Sequence, residues 1–388
     1  MDFNWTAEQE AMRAEVRRLC SRFDDNYWRE RDRNHEFPHE FYRAMAKDGW
    51  LGIAMPEAYG GSGQGITEAA LILQEVAASG ACASGTSAIH MNIFGVNPVV
   101  KHGTEEQKRA HLPGVARGQT KVAFGVTEPD VGLNTTQLKT KAVRKGDKYI
   151  VNGKKIWIST AQVADKILLL TRTTPLDKVK KPTDGLTLFF TDLDRNRIDV
   201  REIDKCGRAA VDSNELFIDN LEVPVEDRVG EEGKGFHYIL DGLNPERILI
   251  SAEVIGMGMI ALSKAAQYAK ERVVFDRPIG MNQAIQHPLA DSWAKLQAAN
   301  LLVFKAAWLY DHDLPCGAEA NAGKLLGAEY GFEATDRAMQ VHGGMGYSKE
   351  FHVERYWREA KLFRIAPVSP EMVLNYIAER VLGLPKSY

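Results

Sequence analysis

The feature that most limits the fold is a block of short β-branched and aromatic segments set between two helical stretches. From about residue 121 to 232, the segments VAFGV, KYIVNG, KKIWIS, KILLLTRT, LTLFFTDL, RIDVREI and NELFIDNLEV are separated by Gly, Asp, Asn and Pro. Runs of that length and composition predict strands. Gly146-Asp147 and Asn152-Gly153 read as turns between them. No long helical pattern interrupts the block, so the strands are expected to be antiparallel, in a small barrel or sandwich.

The flanks keep helical spacing. In residues 1–120, Thr6 with Gln9 and Thr104 with Gln107 fit capping boxes, and MPEAYGGSGQG (55–65) reads as a Gly-rich loop. From 233 to 388, GFHYILDGL, ILISAEVIGMGMIALSKAAQYAKERV, SWAKLQAANLLVFKAAWLYDHD and AEANAGKLLGAEYGFEATDRAMQVHG are long enough to pack as a helical bundle. The expected class is α+β and multidomain: an N-terminal helical domain (1–120), a middle β domain (121–232) and a C-terminal helical domain (233–388).

Composition removes several function classes. A net charge of −3 over 388 residues gives no basic balance for nucleic acid or an anionic membrane. No apolar run is expected to span a membrane. The start, MDFNWTAEQEAMRAEVRRL, lacks the apolar core of a secretory signal, and its acidic residues argue against a transit peptide. A cytoplasmic protein is therefore expected. Cys20, Cys82, Cys206 and Cys316 have no metal-binding spacing and read as free thiols, with no metal site.

One motif points elsewhere. Gly256-Met257-Gly258-Met259-Ile260-Ala261 fits G-x-G-x-x-A, with Asp276 downstream, the outline of a dinucleotide-binding unit. The apolar run from Ile248 is too long for a strand, and no alternating strands and helices follow. The motif reads instead as small residues letting helices approach closely, with an NAD-dependent dehydrogenase kept as the alternative.

Four segments carry the chemistry. QVHGGMGYSKEFHVERYWRE (340–359) sets Gly343, Gly344 and Gly346 after a helix, where they permit positive φ and close backbone approach. FGVTEPDVGLNTT (124–136) offers the hydroxyls of Thr127 and Thr136 and an open backbone at Gly132. In KKIWIST (154–160), Trp157 and Ser159 alternate with Ile156 and Ile158, so one strand face could stack an aromatic ring and bond a heteroatom. ERVVFDRPIGMNQAIQ (271–286) supplies Arg272, Arg277 and Gln283. Each segment also has a purely structural reading: a glycine cap, a turn, an edge strand, helix-end charges.

Together and in this order, the four segments resemble the acyl-CoA dehydrogenase family of flavoenzymes. Gln340, Gly343, Gly344, Gly346, Tyr347, Glu350, Arg355 and Glu359 match its C-terminal signature. Thr127-Glu128-Pro129 matches the first signature in part, since Gly132-Leu133-Asn134 stands where that family usually has Gly-Ser-Asp. The resemblance implies a helical domain, a β domain and a C-terminal four-helix bundle, with FAD between the last two and reaching into a neighbouring subunit. It implies that Trp157 flanks the flavin, Ser159 bonds near N5 and Thr127 bonds the pyrimidine end. Arg272, Gln283 and the Gln340–Gly344 turn would hold the ADP half across a dimer interface. On the same ground Phe124, Val126, Gly132, Leu133, Ile158, Val274, Phe275, Val341, Ser369 and Glu371 are assigned to the cofactor. The implied partners are an acyl-CoA substrate, an electron-transfer flavoprotein and further copies of the chain in a homotetramer, a dimer of dimers.

The catalytic base is not where many family members keep it. Aligned from Arg358-Glu359-Ala360-Lys361, the usual Tyr-Glu-Gly-Thr falls on Ala366-Pro367-Val368-Ser369, so Pro367 occupies the glutamate position. Isovaleryl-CoA dehydrogenase-like members place the base on a helix of the C-terminal domain, before an arginine. The matching segment here is Leu243-Asn244-Pro245-Glu246-Arg247. Glu246 is therefore the expected base, with Leu133, Asn244 and Arg247 toward the substrate and Glu371 as the second choice of base. Asn244-Pro245-Glu246 also reads as an N-cap, an N1 proline and a first-turn acid. Pro367 has no N–H to polarise a thioester carbonyl, which leaves that task to an FAD ribityl hydroxyl with a neighbouring donor such as Val368. The segment SGTSAIHMN (84–92) has no arginine, and Gly85 falls where glutaryl-CoA enzymes carry one, which disfavours a dicarboxylic acyl group. Alternatives in the same fold are an enoyl-CoA reductase and a non-catalytic flavin-binding paralogue.

Overall fold

The computed structural model describes residues 4–387, so the extreme ends of the first and third expected domains, 1–3 and 388, lie outside it. The chain opens with helices α1 (Ala7–Cys20), α2 (Asp25–Asn34), α3 (His39–Lys47), α4 (Ile66–Val76), α5 (Cys82–Ile93), α6 (Asn97–His102) and α7 (Glu105–Ala116). Both predicted capping boxes form: Thr6 and Gln9 close the start of α1, and Thr104 and Gln107 that of α7. Phe23, Trp28 and Phe41 build the local core, with the Trp28 and Phe41 rings 5.1 Å apart, edge to face.

The β domain holds β1 (Val122–Gly125), β2 (Lys141–Lys145), β3 (Lys148–Ser159), β4 (Lys166–Arg172), β5 (Leu186–Asp192), β6 (Ile198–Glu202), β7 (Ser213–Pro224) and β8 (Arg228–Val229). The strands run in the order β6-β7-β3-β2-β4-β5-β8, with β1 added on β4. Most pairs are antiparallel as expected, but β4 pairs in parallel with β2, at Lys141 beside Arg172, and with β1. The crossover there is a loop and the β2–β3 hairpin rather than a helix, a route that strand counting alone does not reveal. Gly146, at φ +65°, makes the predicted β2–β3 turn. Asn152-Gly153 does not turn. It lies inside β3 at a register shift against β7, and a Cβ on Gly153 would come within 2.4 Å of Thr140. The glycine marks a bulge and close strand approach.

After α8 (Gly235–Leu240), three long helices dominate: α9 (Leu243–Glu271), α10 (Gln283–Asp311) and α11 (Gly317–His342). A small hairpin of β9 (Val273–Val274) and β10 (Arg277–Pro278) joins the first two, and α12 (Val353–Ala360) and α13 (Pro370–Tyr376) complete the helical layer. The helical ends are not separate bodies: Ile72 and Leu73 of α4 share one core with Ile248 and Leu249 of α9 and Val303 of α10. The helical stretches 66–102 and 235–271 are, by length and hydropathy alone, apolar enough to cross a membrane, contrary to expectation. Their most apolar windows are 72% and 78% buried against the rest of the protein, which gives that hydropathy a core to serve.

The G-x-G motif lies in the middle of α9. A Cβ on Gly256 would meet the Gln74 carbonyl at 2.4 Å, and one on Gly258 would meet Leu296 at 3.0 Å. These glycines let α4 and α10 pack close, so the dinucleotide reading is set aside.

Candidate active site

Glu246 sits in the first turn of α9. The N-cap is Gly242, and the Glu246 N–H donates to its carbonyl at 3.0 Å. Asn244 is thus no cap: its Oδ1 accepts from Arg247 Nη1 at 3.1 Å. Pro245 falls in the first turn, where backbone N–H groups have no intrahelical partner.

The carboxylate of Glu246 meets a residue that the sequence reading did not single out. His90 of α5 places Nε2 2.7 Å from Glu246 Oε2 and Nδ1 2.7 Å from Glu253 Oε1. Thr86 donates to the other oxygen of Glu253 at 2.7 Å. Burial opposes a charge on His90, but Glu246 and Glu253 outweigh it and hold the imidazole well above its ordinary range. The available signal was spacing: Glu246 and Glu253 stand two helical turns apart on one face of α9, and Thr86 and His90 one turn apart on α5.

The flavin-assigned strand end is bent. Trp157 and Thr160 both have positive φ, 62° and 66°, around a bulge where β3 shifts register against β7. Such backbone costs about 1–3 kcal/mol per residue and is kept where neighbours hold it. Ile158 is buried, and the Trp157 side of the strand faces out, leaving that indole 56% exposed. Ser159 Oγ accepts from Arg208 Nη2 at 3.0 Å, and the same guanidinium reaches Ser213 at 2.7 Å and Ser87 of α5 at 3.1 Å. Burial lowers the Arg208 pKa. Arg208, absent from the sequence reading, thus ties the bent strand end to α5 and so to His90 and Glu246. Two buried polar atoms here, Thr160 Oγ1 and Arg208 Nε, have no partner among the described residues.

Thr127 joins this strand through its backbone, its carbonyl accepting from the Ile156 N–H at 2.9 Å. Glu128 clamps the loop from below, accepting from Lys139 N, Thr140 N and the buried Lys155 Nζ, the last at 2.9 Å. Burial lowers the Lys155 amine to about 8. Above the clamp, Gly132 has open space where a Cβ would sit, and Leu133 is 66% exposed. Phe124 is partly buried, while Val126 and Ile158 turn their side chains into the β-domain cores, so only their backbones are available to a ligand.

The turn that replaces the usual glutamate is held by Lys324 of α11. Its ammonium donates to the Phe363 carbonyl at 3.0 Å and to that of Val368, and burial brings it to about 8. Ser369 caps α13, accepting from Met372 N at 3.4 Å. Glu371 is exposed and held below the usual carboxylate range by its own N–H, the Ser369 hydroxyl and Lys324. Among the described residues its charge interacts with Ser369 and Lys324 rather than with His90 or Glu246.

The second group of predicted residues lies at the far end of α9. Arg272, Val274, the 93%-exposed Phe275 and Gln283 surround the β9–β10 hairpin. The Gln340–Gly344 turn is brought beside them by Tyr268 and His342, whose rings stack 4.4 Å apart. Gly343, at φ +58°, and Gly344 face open space, whereas the Val341 side chain is buried in the core. At about 1.5 Å per residue, α9 puts this group roughly 40 Å from Glu246. The signature's last residues are an anchor: Arg355 bonds the Gly80 carbonyl at 2.6 Å, and Glu359 accepts from Ser84 N and Oγ at 2.9 and 2.7 Å. They fix the start of α5, which carries His90.

Residues 6–119, 123–221 and 233–382 match the N-terminal, middle and C-terminal domains of acyl-CoA dehydrogenase. The chain is 36% identical to acyl-CoA dehydrogenase FadE12 of Mycobacterium tuberculosis, covering 98% of this chain and 97% of that one. It is 33% identical to the 3-(aryl)acrylate reductase of Clostridium sporogenes, covering 97% and 99%. Among solved structures, the glutaryl-coenzyme A dehydrogenase complex with glutaryl-CoA superposes with a TM-score of 0.94 at 30% identity, covering 100% of this chain and 98% of that one.

Proposed function

This chain belongs to the acyl-CoA dehydrogenase family, and we propose that it converts an acyl-CoA thioester to the trans-2-enoyl-CoA with Glu246 as the base. The observation that carries the reading is Glu246 itself. It is the carboxylate at the start of α9, its side chain 16% exposed, and it is joined through α5 and Arg208 to the Trp157–Ser159 strand end.

The residues fit FAD. Trp157 offers an exposed ring on a bent strand, Gly132, Gly343 and Gly344 leave backbone open, and the orphaned Thr160 Oγ1 and Arg208 Nε lie at the same strand end. Thr127, Ser159 and Trp157 would hold the flavin half, and Arg272, Gln283 and the Gln340–Gly344 turn the ADP half. Because roughly 40 Å of α9 separates the groups, the ADP half would be held by a second copy of the chain. When bound, FAD supplies the hydride acceptor.

Glu246 takes the α proton as the C–H bond breaks, the β hydrogen leaves with its electron pair, and the C=C bond forms. Asn244 and Arg247 are assigned to the substrate side of the base, and the buried Nε of Arg247 has no partner among the described residues. The Val368 N–H is the proposed carbonyl donor in place of Pro367, on a turn fixed by Lys324. An electron-transfer flavoprotein is the proposed electron acceptor. The reverse reaction, enoyl-CoA reduction, uses the same groups, and the likeness to a named reductase favours testing it alongside.

The test is anaerobic titration of the holoprotein with acyl-CoAs of varied length and branching, in wild type and Glu246→Gln. Bleaching of the flavin in wild type and its loss in the variant are expected. Bleaching at the wild-type rate in Glu246→Gln would remove Glu246 as the base.

A further inference from the structure

We propose that His90 is the positioning residue of the base, clamping Glu246 through one ring nitrogen while Glu253, backed by Thr86, anchors the other. The inference rests on the reading of Glu246 as the base and adds what controls it. Both contacts are 2.7 Å, and His90, Glu253 and Thr86 are all buried. With both nitrogens protonated, each N–H donates to one carboxylate, so one imidazolium bridges two acids set two turns apart on the same helix face.

The other charges nearby are few. Arg208 faces Glu253 from the loop before β7, and Arg247 lies beside Glu246 on α9. From α5 itself the neighbouring polar group is the neutral Thr86. Among the described residues no second cation bridges the two acids.

This arrangement has a consequence for proton transfer. A carboxylate beside an imidazolium stays ionised to lower pH than one beside a second carboxylate. The clamp points one oxygen of Glu246 at His90 and leaves the other for substrate. When the α C–H bond breaks, its proton forms the O–H of Glu246 and its electron pair stays on the thioester. The buried unit of two carboxylates and an imidazolium then passes from singly negative to neutral. It behaves as one coupled proton-binding group rather than as three separate residues.

The test compares wild type, His90→Gln, Glu253→Gln and Glu246→Gln as holoproteins, each checked for flavin content and acyl-CoA affinity. Two rates are followed against pH: anaerobic flavin reduction, and exchange of the α hydrogen of acyl-CoA with deuterated water. In His90→Gln the acid limb of both profiles should move up by about 1–3 pH units, with acyl-CoA affinity kept. In Glu253→Gln the imidazolium remains on Glu246, so the acid limb should not rise. Superposable profiles for wild type and His90→Gln, or equal upward shifts in His90→Gln and Glu253→Gln, would overturn the proposal while leaving Glu246 as the base. A wild type that no acyl-CoA reduces, or an active Glu246→Gln, would overturn the underlying reading and this inference with it. Should His90→Gln not retain flavin, His90→Asn takes its place with the same expected shift.

Discussion

Glu246 and Arg272 stand at opposite ends of a single helix, α9, about 40 Å apart at ~1.5 Å per residue. The helix is continuous between them and shares cores with α4, α10 and α11. One chain therefore offers the two halves of its predicted cofactor site to two different places.

Flavin retention should consequently follow oligomeric state. Arg272→Ala removes a cation suited to a pyrophosphate, and a charge-assisted hydrogen bond contributes about 1.5–3 kcal/mol. Flavin retention should weaken tenfold or more, with Glu246 and His90 undisturbed. Size-exclusion chromatography read at protein and flavin wavelengths checks this. Flavin that stays bound to a dissociated single chain would contradict the two-copy site.

Arg208→Lys should disturb the flavin surroundings although charge is kept. The guanidinium spans Ser87, Ser159 and Ser213, and a single ammonium cannot reproduce that planar fork. A shifted flavin absorbance band and several-fold slower reduction are expected. An unchanged spectrum and rate would reduce Arg208 to a packing residue.

Gly256→Ala tests the rejected dinucleotide motif. Its new Cβ would press on the Gln74 carbonyl at 2.4 Å and on Ala77 at 3.0 Å. Overpacking of that kind costs about 1–3 kcal/mol, so thermal unfolding should occur a few degrees lower. Nicotinamide binding, measured by calorimetry, should be absent before and after the change.

The His90 clamp also predicts a stability profile. Its folded pKa is raised above the ordinary 6.5. The folded state then holds a proton that the unfolded chain gives up, so the contribution is full below about pH 6.5 and declines as pH rises through the folded value. The difference in unfolding temperature between wild type and His90→Gln should be largest near pH 6 and shrink on the alkaline side. A gap independent of pH would mean that the two contacts are packing alone.

Local rules made much of this chain readable. Capping residues mark helix starts through bonds to neighbours three positions away, so Thr6 and Thr104 announced α1 and α7. Two prolines at 367 and 370 ended a helical pattern for reasons internal to proline, and Ser369 with Pro370 opened the next helix. Pro367 also leaves the position where many family members keep their base without an acid, which points to Glu246. Where a local rule failed, a remote neighbour had overruled it: Asn152-Gly153 has turn chemistry, yet Thr140 lies against the glycine, and the segment runs straight through as a bulged strand.

The order of helices and strands follows from residue types and short spacings, because those properties act within a few positions of the chain, whereas the candidate base and the cofactor-assigned segments are what the motifs' resemblance to the family implies. Only the tertiary structure decided that His90 sits between Glu246 and Glu253, that Arg208 ties Ser159 to α5, and that Arg272 lies a helix length from the base. The first two are contacts between residues far apart in sequence, joined by buried charge and close packing; helical spacing set Glu246 with Glu253 and Thr86 with His90 on their own faces, but only the packing of α5 on α9 set those faces together.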